Sequence, residues 1–382
     1  MTTKSHGLRI SRIVPVSRRL VVPVTAYAGG RIVVLMGQLV SGVGVRSIPY
    51  RSAFFRYDAA WYLSAARSGY PAHIATSADG RASQSTIAFF PLYPMTVRLV
   101  ARLTGLGYTT ASQLVVTLAG AAGVVGVWFV ARRVWGDDVA DRTAVVFCVF
   151  PGFMVWGLGY AEPLAVAFAA ACLLALLEER WFLAGACGAA ATATRPNMLV
   201  LVLCCAVVAI PAARRQRRLA PLVAPLLTPA GWAAFMVYLW RHTGDLGAWW
   251  RVEHGGWNEH FDAGLEVYRR ARQIFTRPFA APFGALDALI ATSAMLVAIG
   301  LAWMLWRSRA PLVLLVYAYA LIVLSLVSGL GVRPRFLATA FPLFAAPALR
   351  LRAVPLAIVV AVAAGALLAL TVITTTTVYV TP

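Results

Sequence analysis

Apolar runs of about 20 residues recur along almost the whole chain, and a run of that length is what one α-helix needs to cross roughly 30 Å of hydrocarbon at about 1.5 Å per residue. No soluble core explains them, because 60% of the 382 residues are hydrophobic and only 13% are charged. The expected fold is an all-α polytopic membrane protein. Spans are expected at 20–43, 110–131, 143–159, 161–178, 181–194, 197–212, 219–240, 282–305, 311–329, 335–349 and 354–376. This is a bundle of about 11 transmembrane helices, read as a single domain over 1–382.

Charge sets the orientation. There are 34 Lys and Arg against 14 Asp and Glu, a net charge of +20, and the largest basic clusters flank apolar spans. That is the pattern of charge retained on the cytoplasmic side, so nucleic acid is not an expected partner. With the basic N-terminus inside and the first span retained, Arg132 and Arg133, the run Arg214 to Arg218, Arg307 and Arg309, and Arg350 and Arg352 all become cytoplasmic, provided residues 89–104 do not cross. That segment is expected to be an amphipathic helix on the outer interface, with Arg98 and Arg102 on its wet side. Two external loops follow, 44–109 and 242–281, and chemistry is expected there. Cys148, Cys172, Cys187, Cys204 and Cys205 lie in apolar stretches, so no disulfide framework or zinc site is expected.

With so few carboxylates, each can be weighed. Asp137, Asp138, Asp141, Glu178 and Glu179 fall in cytoplasmic turns beside arginines and are read as solvated charges. Asp58 lies in FFRYDAAWYL, a stretch free of Gly and Pro from 51 to 68 that reads as a helix, with Phe54, Phe55, Trp61 and Tyr62 three and four residues away. A carboxylate among aromatics is costly to bury, and desolvation raises its proton affinity, as a general base acting on a hydroxyl requires. The other reading pairs it with Arg56, Arg67 or another external arginine to pin the loop. Glu162, just before Pro163, either serves the dipole of the following helix or faces the same cavity as Asp58. Arg195, Arg333 and Arg335 run against the charge bias at outer turns; they snorkel or bind phosphate, to which arginine is suited by its planar fork. In the second loop, WWRVEHGGWNEHFD mixes Trp249, Trp250 and Trp257 with carboxylates, His254 and His260, a weak signal that suits either a sugar face or an interfacial anchor. The two histidines lack helical metal spacing, and no phosphate loop, nucleophile elbow or HExxH occurs; neither metal nor cofactor is indicated.

The string Arg56-Tyr57-Asp58-Ala59-Ala60-Trp61-Tyr62, followed by Gly69-Tyr70 and Ala88-Phe89-Phe90-Pro91-Leu92-Tyr93-Pro94, resembles the pattern RWDxxWYxxIAxxGY…FFPLYP of the PIG-V-like mannosyltransferases, members of the GT-C superfamily. Gly159-Tyr160-Ala161-Glu162-Pro163-Leu164 is similar to that family's YTESLF, Ala193-Thr194-Arg195-Pro196-Asn197 to its ATRPNG, and Arg333-Pro334-Arg335-Phe336 precedes the last spans. Tyr57 stands where the family has Trp, and Ala161 and Pro163 replace the residues flanking its glutamate. The resemblance implies a GT-C-type bundle and inverting transfer of mannose from a polyprenyl-phosphate carrier to a lipid or glycan acceptor, on the outer face of the plasma membrane.

On that reading Asp58 deprotonates the acceptor, Arg333, Arg335 and Arg195 hold the donor phosphate, and Arg56, Trp61, Tyr62, Phe90, Tyr93, Glu162 and Asn197 line the substrate cleft. The partners are the polyprenyl-phosphate sugar, the acceptor and membrane lipids. Two rivals come from other classes: a secondary transporter or lipid flippase, with Arg31 on its path, and a noncatalytic protein that binds lipid carriers.

Overall fold

A computed structural model describes residues 20–44, 57–276, 282–329 and 331–376. Arg56, and with it Phe54 and Phe55, lies outside the described residues. In chain order the helices are α1 (Val21–Gly44), α2 (Asp58–Ser68), α3 (Leu92–Thr104), α4 (Tyr108–Trp135), α5 (Asp137–Val149), α6 (Glu162–Leu177), α7 (Trp181–Thr194), α8 (Val200–Gln216), α9 (Val223–Leu227), α10 (Ala230–Thr243), α11 (Ala248–Trp257), α12 (Leu265–Thr276), α13 (Pro282–Arg307), α14 (Leu312–Val327), α15 (Pro334–Thr339), α16 (Ala345–Arg350) and α17 (Ala353–Thr376). Among the described residues the one β-type pairing is the isolated bridge Thr76–Ala82.

Five of these helical segments are long and apolar enough to span a bilayer, or seven if each of two bent pairs is one span; α6, α7 and α14 are shorter and apolar. The chain is thus an all-α, multi-pass membrane protein. Three expected spans are not single straight helices, and one of them, expected at 219–240, bends by 41° between Ala220–Leu227 and Ala230–Thr243. The run expected at 143–159 breaks between α5 and a 3₁₀ turn, Pro151–Gly157, with a bend of 76°. The run expected at 335–349 falls into α15, a 3₁₀ turn at Phe341–Phe344, and α16. Pro151, Pro342 and Pro347 supply the cause, since a proline ring removes an N–H and clashes with the preceding turn.

The breaks matter because they let side chains approach at the ends of helices. Gly152, in the first break, has no room for a side chain: a Cβ there would collide with the carbonyl oxygen of Pro334, which precedes Arg335. Close backbone contact at this glycine therefore seats the arginine-bearing turn on the bundle.

Two cores are present. The larger lies within the bundle and includes Trp128, Phe147, Trp156 and Tyr317. The smaller joins the loops to one end of the bundle, with Tyr62, Phe89, Phe90, Tyr93, Phe235 and Val252. Helix α3 belongs to this second core. Its 13 residues reach only about 20 Å, and Tyr93, Pro94, Val97 and Ala101 form its buried face. Arg102 is exposed, but Arg98 departs from expectation. Its Nε donates to the carbonyl of Ala66 at 2.7 Å and its Nη2 to that of Ala65 at 3.2 Å, so it caps α2 rather than facing water.

Candidate active site

Helix α2 carries Asp58 as its first residue, not in mid-helix as the sequence suggested. Tyr57 takes a φ of 54°, outside the helical region, and so starts the helix at Asp58. From there Ala59, Tyr62, Leu63, Ala65 and Ala66 are buried, and the Arg98 cap locks the far end. The Asp58 side chain is 20% exposed and receives Arg335 Nη1 on its Oδ2 at 2.5 Å. Arg335 lies over two aromatic rings, its guanidinium carbon 5.6 Å from the Tyr160 centroid and 4.8 Å from that of Phe336.

A second acid–guanidinium pair adjoins the first. Helices α6 and α7 form a hairpin, which brings the N-terminus of one beside the C-terminus of the other. Glu162 opens α6 and Arg195 follows the last residue of α7, placements that both helix dipoles favour. They form an ion pair in which Glu162 is 0% exposed. Between the two pairs lies Tyr62, whose phenol is pushed up by burial, with Arg195 and Arg335 opposing and Glu162 and Asp58 reinforcing. Asp58, Glu162, Arg195 and Arg335 thus share one electrostatic site. Arg195 Nε and Arg335 Nε are buried without hydrogen-bond partners, as is Asn197 Oδ1 two residues beyond Arg195. An anion with several oxygens would satisfy the two arginine donors.

The second loop adds two carboxyls that the sequence reading had not singled out. Asn258 takes a φ of 56° and closes α11, its N–H donating to the Glu253 carbonyl, and the Glu259 N–H reaches the same oxygen at 3.2 Å. This turn folds Glu259 back onto Glu253. Burial pushes the Glu253 carboxyl well up, the charge of Glu259 and a hydrogen bond to it add to this, Asp58 adds further, and Arg195 opposes. Glu259 is also raised, first by burial, while Glu253, Arg195 and Arg335 pull it down. The sequence signal available was the C-cap pattern itself: glycines at 255 and 256, then an αL asparagine, with Glu253 one helical turn before Trp257.

A carboxyl raised by docking favours the docked loop in acid and loses that advantage as pH rises from the ordinary carboxylate value through the raised one. Amide protection around Glu259, corrected for intrinsic exchange, is therefore expected to fall as pH rises from about 5, by at most about tenfold per unit for each of the two carboxyls. Glu253→Gln is expected to flatten this dependence. A wild-type profile independent of pH would remove the coupling.

The remaining expected residues separate. Arg333 does not share an anion with Arg335: it pairs with Asp287, which also holds Arg270, while Arg270 bonds Glu266 at 2.8 Å. Pro334 turns the two arginines toward different carboxylates. Trp61 stays half-buried, stacked on Phe89 and edge-on to Trp257 at 5.5 Å. Phe90 and Tyr93 are each 1% exposed, with Phe90 against Phe235 and the Tyr93 hydroxyl 2.8 Å from Ser112 Oγ. They pack the loop core and present no open face to a sugar, contrary to the expectation that they line the cleft. Among the described residues no three His, Cys, Asp or Glu side chains group as metal ligands.

No protein-family profile matches this sequence, and no curated protein matches it. Solved structures do. The apo oligosaccharyltransferase of Archaeoglobus fulgidus is 12% identical with a TM-score of 0.51, covering 90% of this chain and 56% of that one. The fold is of the GT-C type. ArnT from Cupriavidus metallidurans bound to undecaprenyl phosphate is 17% identical with a TM-score of 0.48, covering 88% of this chain and 60% of that chain. AglB from Archaeoglobus fulgidus, in complex with an inhibitory peptide and a dolichol-phosphate, is 10% identical with a TM-score of 0.48, covering 93% and 56%. The chain spans little more than half the length of these structures.

Proposed function

We propose that this chain is an inverting glycosyltransferase that moves a sugar from a polyprenyl-phosphate carrier to a lipid or glycan acceptor. One observation carries the reading: Asp58, a half-buried acid at a helix start, is held by Arg335 beside a second buried pair, on a GT-C fold. Without donor, Arg335 is occupied by the Asp58 carboxylate. A donor phosphodiester matches the Asp58 carboxylate in charge and in its two free oxygens, but it also engages the unpartnered Nε donors of Arg335 and Arg195. It gains a second charge as its bond to the sugar breaks, which draws Arg335 to it. Asp58 is then released to take the proton from the acceptor hydroxyl. The acceptor oxygen bonds to the anomeric carbon as the bond from that carbon to phosphate oxygen breaks on the opposite face, through an oxocarbenium-like state. The electron pair leaves on the prenyl phosphate, where preorganised guanidiniums stabilise the growing charge by about 3 kcal/mol.

The finer reading, a PIG-V-like mannosyltransferase, rests on the motif resemblance at residues 56–62 and 88–94. Charge asymmetry supports a cytoplasmic N-terminus and an external site, and a plasma-membrane location goes with the motif resemblance. Arg333, buried and held by Asp287, is left with a supporting role. Incubating the purified protein with radiolabelled polyprenyl-phosphomannose and membrane lipid extract is expected to label an acceptor. Label that crosses the membrane without a new glycosidic bond would instead indicate a transporter.

A further inference from the structure

Helix α11 has two faces of different character. One bears Ala248, Trp249 and Val252 and packs into the loop core, with Trp249 edge-on to Phe90, while Trp257 in the last turn reaches Trp61 and Phe89. The other bears Trp250, Arg251, His254 and, just past the helix, Asn258, spaced for a single stripe. This second face forms one wall of an open groove of about 650 Å³ whose opposite wall is the 73–82 segment, including His73 and Thr76. Gly255 and Gly256 fix the two walls together, since a Cβ at Gly255 would lie 2.7 Å from the Ala82 carbonyl oxygen and one at Gly256 would lie 3.0 Å from the Gln84 Cα.

The lining identifies the class of ligand. Trp250 is 69% exposed within the groove, an apolar ring face beside hydroxyl, amide and imidazole groups. That combination matches a sugar ring, which has one apolar face and a rim of hydroxyls. The charges are already matched within the protein: Arg251 pairs with Asp245, and Arg81 lies 3.8 Å from Asp79. A groove whose arginines are neutralised in this way favours an uncharged polyhydroxyl ligand over a phosphate or an acidic glycan. Its volume accommodates more than one ring. Glu253, on the same helix as Trp250 and His254, feels the charge of Asp58, so α11 links the groove to the Asp58 cluster.

We infer that this groove is an acceptor subsite that holds a neutral saccharide, so that the acceptor is a glycan or glycolipid extending at least one sugar beyond the reacting hydroxyl. This inference deepens the transferase reading and rests on it for the word acceptor. It is tested on the full chain in lipid nanodiscs by saturation-transfer NMR, with neutral hexose oligosaccharides of one to four units as probes and uronic-acid oligosaccharides of matched length as controls. The neutral probes are expected to bind wild type and Asp58→Asn alike, to outcompete the acidic ones, and to lose about tenfold or more in affinity with Trp250→Ala. Binding unchanged by Trp250→Ala, or no binding of any probe to wild type, overturns the inference. The transfer assay run in parallel separates the two claims. If Asp58→Asn abolishes transfer while Trp250→Ala leaves glycan binding intact, the transferase stands and the subsite falls. If Asp58→Asn transfers normally, the transferase reading falls whatever the groove binds.

Discussion

Asp58→Asn is expected to lower the turnover of sugar transfer by about 10²–10⁴-fold, the usual worth of a positioned general base, while donor affinity stays within about threefold of wild type or improves. The asymmetry follows from the contacts. Asparagine keeps the shape of the side chain and an oxygen for Arg335, so α2 and the turn at Tyr57 lose little. What is lost is the negative charge and the capacity to take a proton. Because Arg335 no longer faces a full carboxylate charge, a donor phosphate competes for it more easily. A residue that only pins the loop behaves differently: its loss would loosen the site, weaken donor binding and leave turnover near normal once donor saturates. Turnover within about threefold of wild type would falsify the base assignment, and weakened donor binding alone would give Asp58 a purely structural role.

The parts of this site that could be read from the sequence are those set by spacing along the chain. Apolar run length gave the helical membrane fold, because a bilayer leaves few other ways to satisfy backbone groups. Charge scarcity then picked out Asp58, Glu162, Arg195 and Arg335, since an unexplained charge among apolar residues needs a partner. What the sequence could not supply was who pairs with whom. Arg333 and Arg335 are two residues apart, and only the packing of α13 reveals that Asp287 takes the first while Asp58, 277 positions away, takes the second. Phe90 and Tyr93 read as well for a cleft wall as for a core, because aromatic character does not say which side of a loop is filled; Phe235 and Ser112 decide it. Glu253 and Glu259 sat in a segment too mixed in composition to rank, and their meeting depends on one left-handed residue, Asn258. The helix breaks at Pro151 and Pro342 were legible in principle, but hydropathy averaged over a window hides a proline whose neighbours are apolar.

Arg195→Ala is expected to have the largest effect on stability, about 3–5 kcal/mol, because it strands Glu162 fully buried with its charge partner removed. Folded domains are stable by only about 5–15 kcal/mol, so most of the protein should be lost from the detergent-soluble, cooperatively melting fraction. The neutral double variant Arg195→Gln/Glu162→Gln should recover most of that loss, since exchanging a buried pair for uncharged groups of similar size is often close to neutral. A double-mutant cycle on thermal unfolding measures this directly, and a single-variant cost below about 1 kcal/mol would mean that solvent reaches Glu162. The double variant also carries the functional question forward. It retains the hairpin of α6 and α7 but offers no guanidinium at 195, so normal donor affinity in that background would assign Arg195 to architecture alone. A donor affinity reduced about tenfold or more in a folded double variant would place its free Nε on the phosphate, leaving Glu162 as the charge that holds the arginine in place between substrates.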